Sequence, residues 1–256
     1  MIVFHILRSA IVYLWAVIVL FFCQPYLWLC NHISKSDFEG GKLRMGNFGR
    51  RFARQICALA GVKITVRGLE NIPAEGSVLF VGNHQSMFDI PVALAAIPRP
   101  VGFIAKEEIR KVPVFRGWIT AVGSFFLPRG ESRKSLEVII NASKELKSHE
   151  HSLVIFPEGT RSRDGSLGEF KAGSLKIATR AGAAVEPFAI ENTINVMPRG
   201  CFWFTPQRVT ITFLPAYSAE ATKGNETVSL MEEMKSGIAR TLGQVEEEPV
   251  VEGGRD

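Results

Sequence analysis

The chain has 256 residues, of which 46% are hydrophobic, and a formal net charge of +5, which suits one substantial domain with an apolar appendage. Residues 1–60 hold seven Lys/Arg and two Asp/Glu, so the remainder carries 23 of each sign and no net charge. A neutral folded body argues against nucleic-acid binding, and a basic N-terminal quarter fits an anionic membrane surface.

Ile11 to Cys30 is a run of 20 residues without a formal charge, and a helix of that length, at roughly 1.5 Å per residue, matches the bilayer core. A cleaved leader is the competing reading. The run is too long for an ordinary leader core, and no small-residue cleavage site follows it. Gln24 and Pro25 interrupt the run, and Pro25 removes a backbone donor, so a spanning helix and a re-entrant segment both remain open. Between Lys35 and Arg54 six basic residues face two acidic ones, which by the positive-inside rule puts this flank, and everything after it, on the cytoplasmic side of the inner membrane. In the same stretch Met45, Phe48, Phe52, Ile56 and Leu59 recur at steps of three and four, opposite Lys42, Arg44, Asn47, Arg50, Arg51 and Arg54. This is a basic amphipathic helix, either packed on the domain or lying at the membrane interface.

From residue 63 short runs rich in Val, Ile and Phe alternate with longer helical stretches. The pattern predicts an α/β fold, a mixed and largely parallel sheet flanked by helices, behind an N-terminal membrane-associated helical segment. Predicted strands are 63–67, 77–81, 101–105, 124–128, 152–156, 185–190 and 208–213. Leu136, Ile139, Ile140 and Leu146 mark one helix, and Leu230, Met234, Ile238 and Leu242 another. The expected organisation is residues 1–60 as membrane-anchoring helices, 61–245 as the α/β domain and 246–256 as a disordered tail. The four cysteines, Cys23, Cys30, Cys57 and Cys201, have neither zinc-ligand spacing nor disulfide-scaffold density. His149 and His151 lie in a polar turn, and His5 and His32 border the apolar run, so no metal centre is expected.

Four polar clusters follow predicted strands: Asn83–Asp89 after the second, Lys106–Glu108 after the third, Arg129 after the fourth and Pro157–Ser162 after the fifth. If these strands are parallel, the clusters gather at one sheet edge, where open α/β folds bind ligands. His84 and Asp89 differ by about 500° on a helical wheel and cannot share a helix face, but a loop followed by a helix start can join them. They form either a base and its orienter, or a loop histidine and a helix cap, with Pro91 in the first turn. In Phe156–Ser162 a rigid Pro157, a flexible Gly159 and the donors Thr160, Arg161 and Ser162 make a turn able to grip a phosphate. The alternative is a surface loop in which Glu158 and Arg161 pair.

The pairing of NHQSMFD (Asn83–Asp89) with FPEGTRS (Phe156–Ser162), about 70 residues apart and in that order, resembles the glycerolipid acyltransferases, in particular the 1-acylglycerol-3-phosphate (lysophosphatidate) acyltransferases. The likeness runs over residues 60–215. Lys106, Pro113, Gly117, Gly123, Phe126 and Arg129 are similar to a second block of that family, Phe170–Gly173 follows its third, and Val185–Phe188 stands at its fourth. Glu186 departs there from the more apolar residues usual in the family.

What the resemblance implies is acyl transfer from an acyl thioester, acyl-CoA or acyl-carrier protein, to the sn-2 hydroxyl of 1-acylglycerol 3-phosphate, giving phosphatidic acid. His84 would be the general base and Asp89 would hold its ring, a protease-like division of labour with the substrate hydroxyl replacing serine. No cofactor and no metal is implied; the partners are the phospholipid bilayer, lysophosphatidate and the acyl donor, with no nucleic acid. Substrate contacts fall to Lys106, Arg129, Glu158, Gly159, Thr160 and Arg161, with Arg161 foremost for the phosphate and Glu158 at acceptor hydroxyls or beside Arg161. Lys171 fits a ligand role or an exposed one. Ser86 lacks a GxSxG elbow for an acyl-enzyme. The alternatives are a relative acting on glycerol 3-phosphate or another lysolipid, and a non-catalytic membrane lipid-binding protein.

Overall fold

The computed structural model describes residues 2–111, 113–128, 130, 132–148, 151–224 and 227–244. Arg129, His149 and the predicted tail 246–256 lie outside the described residues. Three helices come first: α1 (Ile2–Phe22), α2 (Gln24–Ser36) and α3 (Phe38–Ala60). The apolar run is thus divided between two helices. α1 stops at Phe22, and Pro25 falls in the first turn of α2, where its missing N–H belongs to a group with no intrahelical partner anyway.

α1 is long and apolar enough to cross a membrane, yet one of its faces is fastened to the body. Ser9, Val12, Ala16 and Leu20, at helical spacing, are buried. The Phe204 amide donates to Ser9 Oγ at 2.6 Å, and Arg8 Nε donates to the Leu59 carbonyl at 2.9 Å. The remaining circumference, including Phe4, Leu7, Ile11, Leu14, Phe21 and Phe22, is exposed. α3 is the predicted basic amphipathic helix, and it packs on the body. Met45 is buried against Trp118, Phe48 and Phe52 pack partly there, and Cys57 and Ala60 join the core with Val92 and Ala93. Leu59, predicted on that face, is exposed instead, because the contact stripe drifts to Cys57 and Ala60 over the last turn.

The elements that follow are β1 (Lys63–Arg67), β2 (Val78–Gly82), α4 (Asp89–Ala96), β3 (Val101–Lys106), α5 (Pro113–Ala121), β4 (Phe125–Leu127), α6 (Ser132–Ser148) and β5 (Ser152–Ile155). The chain continues through α7 (Lys176–Ala181), β6 (Ala184–Glu191), α8 (Thr193–Val196), β7 (Arg208–Phe213), α9 (Ala219–Gly224) and α10 (Thr227–Thr241). All seven predicted strands are present, with β1 and β7 at their predicted limits. They form one sheet in the order β1-β7-β6-β2-β5-β3-β4. β6, β2, β5, β3 and β4 run parallel to one another, whereas β7 is antiparallel to β6 and carries β1 with it.

Both faces of this sheet are covered, which is why its central strands read as continuous apolar runs. β2 shows the alternation: Val78 and Phe80 face a core shared with α1, α3 and α4, and Leu79 and Val81 face one shared with α6, α7 and α10. Leu230, Met234 and Ile238 of α10 are buried as their spacing predicts. In α6 the stripe is Ile139, Ala142 and Leu146, with Leu136 exposed. The cysteines are unpaired, and no group of three or more metal-capable side chains exists among the described residues. His151, expected in a polar turn, is buried at the start of β5.

Candidate active site

Because β2, β3, β4 and β5 are parallel, the segments that leave their C-terminal ends rise from one edge of the sheet. At β2 the chain leaves the sheet through Asn83, whose side chain stands in for the next rung of the ladder. Its amide nitrogen donates to the Ile190 carbonyl at 2.9 Å, and its oxygen accepts the Ile190 amide at 2.8 Å. This fixes the exit point. A loop of six residues then leads to α4.

Asp89 is the first residue of α4, and Phe88 occupies the capping position without a side-chain cap. The carboxylate turns back over the loop instead of capping the helix. Its Oδ2 takes the His84 Nδ1 at 2.7 Å and the amides of Gln85 and Ser86, each at 2.7 Å. Its Oδ1 accepts the Thr193 hydroxyl. Asp89 is fully buried, whereas 13% of the His84 side chain reaches solvent. The imidazole lies flat on Phe156, with centroids 4.4 Å apart and planes at 14°. With Nδ1 on a carboxylate and one ring face on an aromatic, the ring has a single orientation, and Nε2 is the nitrogen left for a substrate proton.

The FPEGTRS loop is tied to this histidine by backbone bonds. The His84 amide donates to Glu158 Oε1 at 2.7 Å, and the Ser162 amide donates to the His84 carbonyl at 2.8 Å. Glu158 Oε2 accepts the Gly168 amide at 3.1 Å. The sequence reading gave Glu158 to the substrate. In the structure the carboxylate is buried, and each of its oxygens holds a main-chain donor, so that it braces the two loops. Burial pushes its pKa up, against the pull of the His84 and Gly168 amides.

Gly159 has φ +65°, a conformation an L side chain rarely adopts, and a Cβ there would lie 3.0 Å from the Lys171 ammonium. Lys171 therefore sits over the turn, held by its own amide on the Pro157 carbonyl at 3.2 Å. Arg161 is half-buried between Gly159 and Ser162, Thr160 is exposed, and Lys106 ends β3 at the same edge. Arg129 lies outside the described residues. The Ser86 hydroxyl donates to the Met197 carbonyl at 2.9 Å and is buried, a structural engagement at odds with a nucleophile. Sequence reasoning missed Phe156 as the platform under the imidazole and Thr193 as the second anchor of Asp89. Phe156 stood inside the motif but read as a strand end. Thr193, 104 residues from Asp89, carried no local signal.

An open α/β sheet with an oriented His-Asp pair and cations at its carboxyl edge defines a class of group-transfer site. The crystal structure of the 1-acyl-sn-glycerophosphate acyltransferase from Thermotoga maritima superposes with a TM-score of 0.80 at 25% identity, covering 96% of this chain and 99% of that one. Residues 63–191 match the Acyltransferase family, and the chain belongs to that family. Among curated relatives, a chloroplastic 1-acyl-sn-glycerol-3-phosphate acyltransferase of Arabidopsis thaliana is 32% identical over 176 residues, 68% of this chain. The chain spans about half of that protein's length, 49%. The 1-acyl-sn-glycerol-3-phosphate acyltransferase of Pseudomonas aeruginosa is 27% identical over 246 residues, 95% of this chain and 90% of that protein.

Proposed function

We propose that the chain is a 1-acylglycerol-3-phosphate O-acyltransferase, which moves an acyl group from a thioester donor, acyl-CoA or acyl-carrier protein, to the sn-2 hydroxyl and yields phosphatidic acid. The observation that carries this reading is the His84 Nδ1–Asp89 Oδ2 contact of 2.7 Å on a loop bonded directly to FPEGTRS. His84 Nε2 takes the proton of the acceptor hydroxyl as its oxygen attacks the thioester carbonyl. The imidazolium that forms faces the Asp89 carboxylate, and its proton passes to the departing thiolate as the tetrahedral intermediate collapses. The thioester is already activated, so the step needs no enzyme nucleophile. Arg161, Lys106 and Lys171 supply the positive charge for the acceptor phosphate, the guanidinium by a planar fork that can hold two oxygens.

The N-terminal helices bring this edge to a lipid that already resides in a bilayer. α1 is bound along its length to α3 and the Phe204 segment and exposes an apolar surface on its other side. That arrangement supports a helix lying in one leaflet, with the body on the cytoplasmic side that the basic flank favours.

The test is acyl transfer by purified protein in lipid, with acyl-CoA and acyl-carrier-protein donors against a panel of lysophosphatidate, glycerol 3-phosphate and other lysolipids. His84→Ala, shown folded by its melting curve, is expected to lose turnover by about 10²–10⁴-fold or more. Parental turnover by that variant sinks the mechanism, and preference for glycerol 3-phosphate or another lysolipid replaces the acceptor.

A further inference from the structure

Three of the four donors on the Asp89 carboxylate come from its own loop, and all three sit on Oδ2. Oδ1 is served from outside the loop, past the end of the neighbouring strand β6, by the Thr193 hydroxyl at the head of α8. Thr193 is fully buried, and Gln85 Oε1 lies 3.4 Å from the same hydroxyl. The turn that delivers it is specified on its own. Asn192, which joins β6 to α8, has φ +73° and is the one non-glycine residue with positive φ among the described residues. Asparagine tolerates that conformation better than most side chains. Its side chain then fixes the turn, donating to the Arg208 carbonyl at 2.7 Å and accepting Asn195 Nδ2 at 2.6 Å. The end of β6 is itself pinned to the catalytic loop by the paired bonds between Asn83 and Ile190.

We propose that Thr193 is a positioning residue for acyl transfer, whose hydroxyl holds Asp89 Oδ1 so that Oδ2 stays on His84 Nδ1 and Nε2 stays aimed at the acceptor hydroxyl. This rests on His84 acting as the general base. The three donors on Oδ2 all belong to the loop that the carboxylate has to hold, whereas the bond to Oδ1 ties the carboxylate to the β6–α8 turn outside that loop. The fourth donor also draws off part of the negative charge that the imidazole faces.

The experiment compares Thr193→Val, which keeps shape and loses the hydroxyl, with Thr193→Ser, which keeps the hydroxyl, and with His84→Ala, all assayed in lipid with melting midpoints recorded. The valine variant is expected to lose kcat on the order of ten- to a hundred-fold, the size of loss that follows when an outer partner of a metal-bound side chain is removed. Its KM for acceptor and donor stays close to parental, and serine restores kcat. A valine variant that melts earlier but keeps parental kcat overturns the proposal, as does a loss that serine fails to restore. The reading it rests on fails separately, through turnover by His84→Ala; an inert His84→Ala beside a parental Thr193→Val sinks only the role of Thr193.

Discussion

At the scale of single residues, the site divides its polar groups between those that hold the His84 loop and those that carry positive charge. Asn83, Glu158 and Ser86 hold; each has its hydrogen bonds on main-chain groups. Arg161 stands half-buried in a turn whose shape depends on Gly159, and the Lys171 ammonium lies over that turn. Replacing such a cation should therefore act on binding. For Arg161→Ala the expected result is a rise in KM for phosphorylated acceptors of at least ten-fold, with the donor KM within about two-fold, since a charge-assisted bond contributes roughly 1.5–3 kcal/mol. Steady-state kinetics with each substrate varied in turn reads this, and an equal rise for both removes Arg161 from the phosphate. Glu158→Gln belongs to the other group. One brace becomes an NH₂ facing an amide N–H, leaving a buried donor against a donor at a cost of about 1–3 kcal/mol. The melting midpoint should fall with activity, and loss of activity without loss of stability returns Glu158 to the substrate.

At the scale of elements, the sheet was legible in the sequence because buried parallel strands leave short runs of Val, Ile and Phe that polar loops punctuate. β2 and β5 show this, each buried along its whole length. The gathering of His84, Lys106 and Glu158 at one edge followed from strand order once β2, β3 and β5 proved parallel. Three things were not legible. The reversal of β7 against β6 leaves no mark on composition. The partner of Asp89 on α8 is 104 positions away, and a single threonine has no periodicity. The division of the N-terminal run into α1 and α2 was visible at Pro25, but whether α1 leaves the body or lies along it depends on Ser9 and Arg8 finding partners in distant segments. That last point yields a prediction. Substituting serine at Phe4, Leu14 and Phe21, which are exposed on α1, should weaken partitioning into vesicles while the far-ultraviolet spectrum and melting midpoint stay parental. At about 25 cal/mol per Å² of apolar surface, three such side chains contribute several kcal/mol to insertion. Vesicle flotation measures it, and unchanged flotation removes α1 from the membrane contact.

For the molecule as a whole, the exposed catalytic edge and the packed body have opposite needs, and Glu186 is where the body departs from its own pattern. It is a fully buried residue of the central strand β6, opposite Phe80 of β2, and neither carboxyl oxygen has a hydrogen-bond partner among the described residues. Burial raises its pKa from 4.5 to about 8, with the Arg99 guanidinium pulling weakly the other way. The folded state therefore keeps this proton over a range where the unfolded chain has lost it. The contribution to stability is complete below about pH 4.5 and declines as pH rises, by about 1.4 kcal/mol per pH unit, until the folded group ionises near 8. At neutral pH the chain thus carries a destabilising group at the centre of its sheet, and Glu186→Gln, which keeps the shape and removes the ionisation, should be more stable than the parent by a margin that widens from pH 5 to pH 8. Denaturant midpoints taken at those two values decide it. Parallel pH dependence in the two proteins means that Glu186 does not titrate between them, and that the slope of stability belongs to other buried carboxyls such as Glu158, whose pKa burial also raises.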